Sequence, residues 1–343
     1  MREYFNCSFF KNSDIFMSTQ KIKVQQKELL LEMNSVNNEE KKSFKIVDVN
    51  YECFWIKQDN WDSNKPCILI PIKDNIELLE ITIKNLYEKK VVNHSNIIII
   101  DDRSVTNIKK IVINNKLSYL RVDNQKGFNF SMLNNIAAFI SYKLGCKEII
   151  LWNSDLWCVK EEHFLSLLEK HRENKSTISG SKLVYPPVEN SMYKEDSDII
   201  NSNFPNMKGK WRNTIQYGGS AWVNSGGGLI PIHSNRFKHI EHHRVDCDKG
   251  ESFVTGALQI INLEWYINNG GLNPSLSKNY QDADLCLKAI EQDKKIFYFG
   301  KNIYFYHDES VSLSKEGKHD LQLLSDHLLF DSIWHNKISL LVL

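Results

Sequence analysis

Three places along the chain put carboxylates directly after apolar runs. Asp101 and Asp102 end "NIIIIDD", Asp155 follows "EIILWNS", and Asp282 and Asp284 open "QDADLCLKAI". A histidine, His307, closes a further apolar run, "IFYFGKNIYFYH". Taken singly, each acid reads as a turn residue or as a helix cap that satisfies orphan amides. Together they fit chemistry on a nucleotide diphosphate. Two linked phosphates concentrate negative charge, and a chain with formal net charge +1 must neutralise it locally. A hard divalent cation does so with one or two carboxylates, because phosphate oxygens and water complete its shell. Asp155 is the candidate carboxylate ligand. His307 is a candidate second ligand, a mixed oxygen and nitrogen set that suits Mn2+ as well as Mg2+. The alternative for His307 is a half-buried ring packed on Tyr304 and Tyr306.

These residues need strands and helices to hold them. "CILIPI", "NIIIIDD", "LSYLRVDN" and "KEIILWNSD" read as apolar strands, the first interrupted by Pro71. Between them "IELLEITIKNLYEKK", "NIKKIVINN" and "SMLNNIAAFISYKLG" carry helical spacing, the last stopped by Gly145. Strands alternating with helices predict an α/β fold with a mainly parallel sheet flanked by helices. In such sheets functional residues lie just past the carboxyl ends of the strands, where Asp101, Asp102 and Asp155 fall. "FVTGALQIINLEWYINNGGLN" predicts a strand and then a helix, "YQDADLCLKAIEQDKK" a helix, and "IFYFGKNIYFYHD" a β-rich pair. Residues 176–250, with "YGGSAWVNSGGG" at their centre, predict irregular loops over the sheet. Residues 1–65 form an N-terminal extension with a peripheral helix in "STQKIKVQQKELLLEMNSVNNEEKKS" and short strands in "FKIVDVNYECFWIKQD". Residues 66–312 form the main domain, and residues 313–343 an amphipathic helix packing on it.

Composition narrows the class. Apolar residues make up 42% and charged residues 25%, as in an ordinary globular protein. Near-neutral net charge argues against nucleic acid as a partner. The seven cysteines form no C-x-x-C pair and read as reduced thiols of a cytoplasmic protein. The N-terminus lacks the apolar core of a signal peptide, and no run approaches the ~18 apolar residues of a membrane span. His239 and His243 would share a helix face able to hold zinc, with a solvated loop as the other reading.

The motifs in order resemble the family 2 type of GT-A glycosyltransferases, and the resemblance covers residues 66–312. "CILIPIKDNIELLEITIKNL" resembles the opening strand and helix, and "IIIIDDRS" the strand ending in an Asp-Asp pair that holds the nucleoside. "KGFNFSMLNNIAA" is similar to a Phe-Asn-Phe-Ser…Asn segment of a bacterial subgroup. "ILWNSDLW" stands at the Asp-x-Asp-type metal motif, with Asn153 in place of the first acid. "FVTGALQII", "NYQDADLCLKAI" and "IYFYHDESVS" resemble the acceptor strand, the acidic helix start and the late histidine, with Gln281 replacing the usual acid before Asp282.

That resemblance implies Asp282 as the catalytic base, with a cap of its own helix as the alternative. It implies donor binding by Pro71, Asp74, Asp101, Asp102, Lys126, Asn135, Asn153, Ser154 and Asp155, and metal binding by Asp155 and His307. Asp101 and Asp74 also read as turn residues, and Asn129, Ser131 and Asn135 as capping groups. Arg103 and Lys126 either face phosphate or stay solvated. Trp222, in the glycine-rich stretch where a mobile lid is expected, and Asp284 are acceptor candidates. Trp152, Trp157 and Trp211 are further rings on which a sugar could stack. The implied activity is metal-dependent, inverting transfer from a UDP-hexose or dTDP-rhamnose donor to a hydroxyl of a glycan or lipid-linked glycan. The setting it implies is bacterial surface polysaccharide, with peripheral contact at the inner membrane face. A nucleotidyltransferase would want a Gly-rich basic loop after the first strand, which "IPIKDNIELL" lacks. A non-catalytic glycan-binding scaffold would lose the acids, which are kept.

Overall fold

The computed structural model describes residues 19–36, 39–123, 127–192, 198–224, 228–309 and 321–342. The N-terminal extension departs from expectation. Thr19–Val36 (β1) and Glu39–Ile56 (β2) are antiparallel strands, and no helix forms there among the described residues. The reason is legible in β2, where Tyr51, Cys53 and Trp55 alternate into the core. β2 then pairs antiparallel with the strand Ser118–Asp123, setting Cys53 opposite Val122 and Trp55 opposite Leu120. The extension thus lengthens the main sheet.

From Cys67 onward, strand and helix alternate as the apolar pattern predicts. The order is β3 (Cys67–Ile72), α1 (Ile76–Glu88), β4 (Asn96–Asp102), α2 (Ile108–Asn114), β5 (Ser118–Asp123), α3 (Phe130–Lys143) and β6 (Glu148–Trp152). β5, β4, β3 and β6 lie side by side and parallel. Ile68 to Ile70, Ile98 to Ile100 and Ile149 to Leu151 are wholly buried, as strands covered on both faces require. Cβ branching favours the extended backbone at the isoleucines. Asparagine supplies the caps: Asn75, Asn107 and Asn129 each accept an N–H three residues ahead, at the starts of α1, α2 and α3. Such caps stabilise a helix by roughly 0.5–2 kcal/mol each.

The second half continues with β7 (Leu156–Cys158), α4 (Glu161–Glu173), β8 (Ile178–Val184), α5 (Asp198–Asn203), β9 (Ile215–Tyr217), β10 (Ser220–Asn224), β11 (Leu229–His233) and β12 (Asp248–Gly250). Then come β13 (Leu258–Asn262), α6 (Leu263–Asn268), α7 (Gln281–Ile290), β14 (Ile296–His307), α8 (Leu321–Trp334) and α9 (Ile338–Val342). Among the described residues the main sheet has 12 strands, in the order β1-β2-β5-β4-β3-β6-β13-β8-β14-β12, with β7 on β14 and β9 on β8. Residues 176–250 are therefore more regular than expected. β8 is a fully buried strand of the sheet, and β10 and β11 pair as an antiparallel ribbon. β14 is one strand with a register shift between Phe299 and Tyr304, where a pair was expected. No helix among the described residues is long and apolar enough to cross a membrane.

Candidate active site

The register of two strands brings the late histidine to the early acid. β7 runs antiparallel to β14 and sets Leu156 opposite His307. Just beyond the pair, the Asp308 N–H donates to the Asp155 carbonyl at 2.9 Å. His307 Nε2 then lies 3.3 Å from Asp155 Oδ1 and 3.4 Å from Asn153 Nδ2. The turn carrying Asn153, Ser154 and Asp155 is fixed from α1. Thr82 donates to the Ser154 carbonyl at 2.5 Å, and Asn85 exchanges two hydrogen bonds with the Cys158 backbone, at 3.0 and 2.9 Å. Burial pulls the His307 pKa down, but the carboxylates of Asp155, Glu309 and Asp308 outweigh it and hold the ring above its ordinary value. Its Nδ1 is buried with no partner among the described residues.

These groups border a cavity of about 450 Å3, which is also lined by Pro71, Lys73, Asp74, Thr255, Gly256, Lys278, Gln281 and Asp282. Asp282 reaches it from the first turn of α7. Its Oδ2 accepts from the Gly256 N–H and its Oδ1 from the Ala283 N–H, both at 2.8 Å. Burial raises the Asp282 pKa, and these amides oppose that shift. The residue before the helix, Tyr280, holds a left-handed backbone at φ +63°. A non-glycine residue there costs on the order of 1–2 kcal/mol. Helix α8 offsets it: Phe330 stacks on the Tyr280 ring at 5.0 Å, and Asp326 accepts the N–H groups of Lys278 and Asn279 at 2.8 and 2.9 Å.

Asp102 does not line the cavity but lies beside Lys73, which does. It is 1% exposed, and neither carboxylate oxygen has a hydrogen-bond partner among the described residues. Lys73 Nζ stands 3.6 Å away. Burial pushes the Asp102 carboxyl up to about 6 against the pull of Lys73. A buried acceptor left without a donor is costly unless a ligand supplies one.

Several expected site residues serve the fold instead. Asp101 does not face a donor: it is buried, and takes the Tyr119 hydroxyl at 2.5 Å, Arg121 Nη1 at 3.2 Å and the Ser104 N–H at 2.8 Å. Asn135 is likewise consumed, by the Leu272 N–H, the Leu272 carbonyl and the Tyr266 hydroxyl. With Asn129 on the Pro274 carbonyl and Ser131 on that of Leu276, it pins the loop that leads to Asp282. Asp284 is fully buried, accepts the Trp334 indole N–H at 2.9 Å and pairs with Lys288 at 2.7 Å, so no acceptor can reach it. Trp222 is half-buried on Phe253, donates to Ser252 Oγ at 2.7 Å and does not line the cavity. Trp152, Trp157 and Trp211 are core residues. Asp74 lines the cavity and also accepts the Val105 and Thr106 N–H groups, so its turn role is present too. Arg103 is exposed and outside the cavity lining. Lys126 lies outside the described residues. His239 forms an isolated β-bridge with Thr214 and His243 sits in a turn, so they share no helix face, and no group of three or more His, Cys, Asp or Glu able to hold a metal occurs among the described residues.

The reading of the sequence missed Gln216, His233 and Glu309, which line the same cavity. Arg236 grips Glu309 through Nη1 at 2.7 Å and Nη2 at 3.2 Å. Glu309 is pulled down to about 2, because Arg236 and Tyr185 outweigh its burial, while His233 is held near 4 by burial and the adjacent Arg236. Only Glu309 carried a signal, its place two residues after His307.

No family model and no curated relative matches the sequence. Among solved structures the chain is similar to GalNAc-T7 with UDP, GalNAc and Mn2+, at TM-score 0.50 and 12% identity, over 72% of this chain. The chain has the GT-A fold. It spans 44% of the GalNAc-T7 chain, so the likeness is to a part of that protein. Weaker likenesses of the same fold are S. aureus TarS 1-349 with UDP and the mannosyltransferase PcManGT from Pyrobaculum calidifontis with GDP-Man and Mn2+. TarS has TM-score 0.44 and 14% identity over 71% of this chain and 60% of that one. PcManGT has TM-score 0.44 and 10% identity over 80% and 71%. Within the GT-A fold described here, the cavity sits at the carboxyl ends of β3 and β6, where open α/β sheets bind ligands.

Proposed function

We propose that the chain is a metal-dependent, inverting glycosyltransferase. It takes a sugar from a nucleotide diphosphate, a UDP-hexose or dTDP-rhamnose, and passes it to a hydroxyl of a glycan or lipid-linked glycan. The observation that carries this reading is the meeting of Asp155, His307 and Asp282 around one cavity, from distant parts of the chain. Asp155 Oδ1 and His307 Nε2 form a converging oxygen and nitrogen pair of the kind Mn2+ or Mg2+ accepts, and the two would hold it there. When bound, that ion would offset charge gathering on the leaving diphosphate. Asp102 is buried without a hydrogen-bond donor among the described residues, beside the cavity-lining Lys73, and would accept hydrogen bonds from a ribose or base. Asp282 takes the proton of the attacking hydroxyl, a contribution of about 10²–10⁴-fold in rate. The Gly256 and Ala283 amides orient its carboxylate for that task.

We further read residues 66–312 as the catalytic domain, with cytoplasmic work on a bacterial surface polysaccharide and peripheral contact with the inner membrane. The test is a panel of nucleotide sugars incubated with Mn2+ and the purified chain, with release of UDP or dTDP as the signal. Release that requires metal and vanishes in Asp282→Asn supports the reading. Release that survives Asp282→Asn, or its absence with every donor class alongside no Mn2+-dependent nucleotide binding, overturns it.

A further inference from the structure

The cavity wall formed by Gln216 and His233 has a hydrogen-bond pattern that specifies a ligand chemistry. Gln216 is the middle residue of β9 and His233 the last of β11. Gln216 is 0% exposed, yet its Oε1 has no partner among the described residues. Its Nε2 lies 3.3 Å from His233 Nδ1, and Arg236 Nη2 lies 3.1 Å from that same nitrogen. Guanidinium and amide NH2 groups only donate, so Nδ1 must accept from both. The imidazole proton therefore sits on Nε2. The same logic orients the amide, since Oε1 turned toward Nδ1 would oppose two acceptors. A fixed imidazole N–H donor and an unsatisfied carbonyl acceptor thus stand on one wall.

Arg236 is not free to change that character. It is engaged by both oxygens of Glu309 and by the Tyr185 hydroxyl, the latter at 2.7 Å. The wall accordingly presents neutral polar groups and an already paired carboxylate to the cavity. That combination suits a hydroxyl, which gives one hydrogen bond and accepts another. It suits a phosphate or carboxylate poorly, since among the described residues the cation of this wall, Arg236, is already engaged. Glu309 follows His307 by two residues, so the wall adjoins the place assigned above to the pyrophosphate, to which the donor sugar is bonded.

We propose that Gln216 and His233 form a subsite for hydroxyl groups of the donor's sugar, selecting a neutral hexose over a sugar acid. This rests on the transferase reading. Calorimetric titration with Mn2+ would compare UDP, UDP-glucose, UDP-galactose, UDP-N-acetylglucosamine, UDP-glucuronate, dTDP and dTDP-rhamnose on wild type, Gln216→Met and His233→Phe. The tightest neutral donor should weaken about tenfold in each variant while the matching nucleotide changes by less than about twofold. On wild type, UDP-glucuronate should bind no better than UDP. Where Gln216→Met does not fold, Gln216→Asn, which withdraws the amide by one methylene, replaces it. Equal weakening of nucleotide and nucleotide sugar, no change in either, or preferred binding of UDP-glucuronate overturns the subsite. Failure of wild type to bind UDP or dTDP at all overturns the transferase reading and the subsite with it.

Discussion

Asp101 and Asp102 are neighbours at the end of β4, and Asp282 and Asp284 are near neighbours at the start of α7. In each cluster one acid is absorbed by the fold and the other is not: Asp282 lines the cavity, and Asp102 lies beside the cavity-lining Lys73. Asp101 is surrounded by Tyr119, Arg121 and the Ser104 amide, and Asp284 by Trp334 and Lys288. Among the described residues Asp102 keeps two oxygens without hydrogen-bond donors, and Asp282 lines the cavity with backbone amides of Gly256 and Ala283 on its carboxylate. The two clusters teach the same thing about different structures, one a parallel strand and the other a helix. Alternation at a strand end, and a helical turn, send successive acids in different directions. What each acid meets there decides its role.

Exchanging each acid for its amide tests that division. The largest effect is expected for Asp282→Asn, which should lower transfer by about 10²–10⁴-fold while UDP binding with Mn2+ stays unchanged, as measured by turnover and calorimetry. Asp284→Asn should do the reverse. It removes the buried carboxylate from the pair with half-buried Lys288, and breaking a largely buried pair costs about 3–5 kcal/mol, read as a fall in the denaturation midpoint. If Asp284→Asn folds normally and loses turnover instead, the division within α7 is wrong.

Asp102 gives a prediction of opposite sign. Its carboxyl is raised from 3.8 to about 6 by burial, so the folded state holds the proton more tightly than the unfolded chain. That contribution is complete below about pH 4 and is lost as pH rises through about 6, a difference on the order of 2–3 kcal/mol. Asp102→Asn should therefore raise the melting temperature at pH 8, with the gain fading toward pH 4, while nucleotide binding weakens. A loss of stability at pH 8 would show that Asp102 has partners as Asp101 does.

A smaller effect is expected at the support of the base. Asp326→Asn should remove part of the hold on the Lys278 and Asn279 amides, at about 1–3 kcal/mol, and lower turnover modestly. Least in size is the pH dependence of turnover. Asp282 must be ionised to take a proton, and burial raises its pKa, so activity should climb with pH through a midpoint above the usual carboxylate range. That acid limb should be missing from whatever activity Asp282→Asn retains.

Much of the frame was legible in the residues. Short isoleucine-rich runs with no polar interruption fit strands covered on both faces, because their length and Cβ branching favour extension over a buried helix, and their alternation with amphipathic helices predicted the layered sheet. The N-terminal hairpin was not legible from charge density, because β1 carries many lysines and glutamates. The alternation of Tyr51, Cys53 and Trp55 was the better guide. The ribbon of β10 and β11 was obscured by glycines that read as loop. Its residue His233 gave no local sign of a site, for its role comes from Gln216 and Arg236 folding against it.

By itself, then, the sequence determined how the parallel core from Cys67 to Trp152 divides into strands and helices, and where acids and a histidine interrupt apolar runs, because those follow from side-chain periodicity along the chain. Only the tertiary structure decided which of those groups face the cavity. The antiparallel register of β7 on β14 sets His307 beside Asp155, and the indole of Trp334 removes Asp284 from play. Pairing registers and buried partners are contacts between distant residues, and no local pattern encodes them.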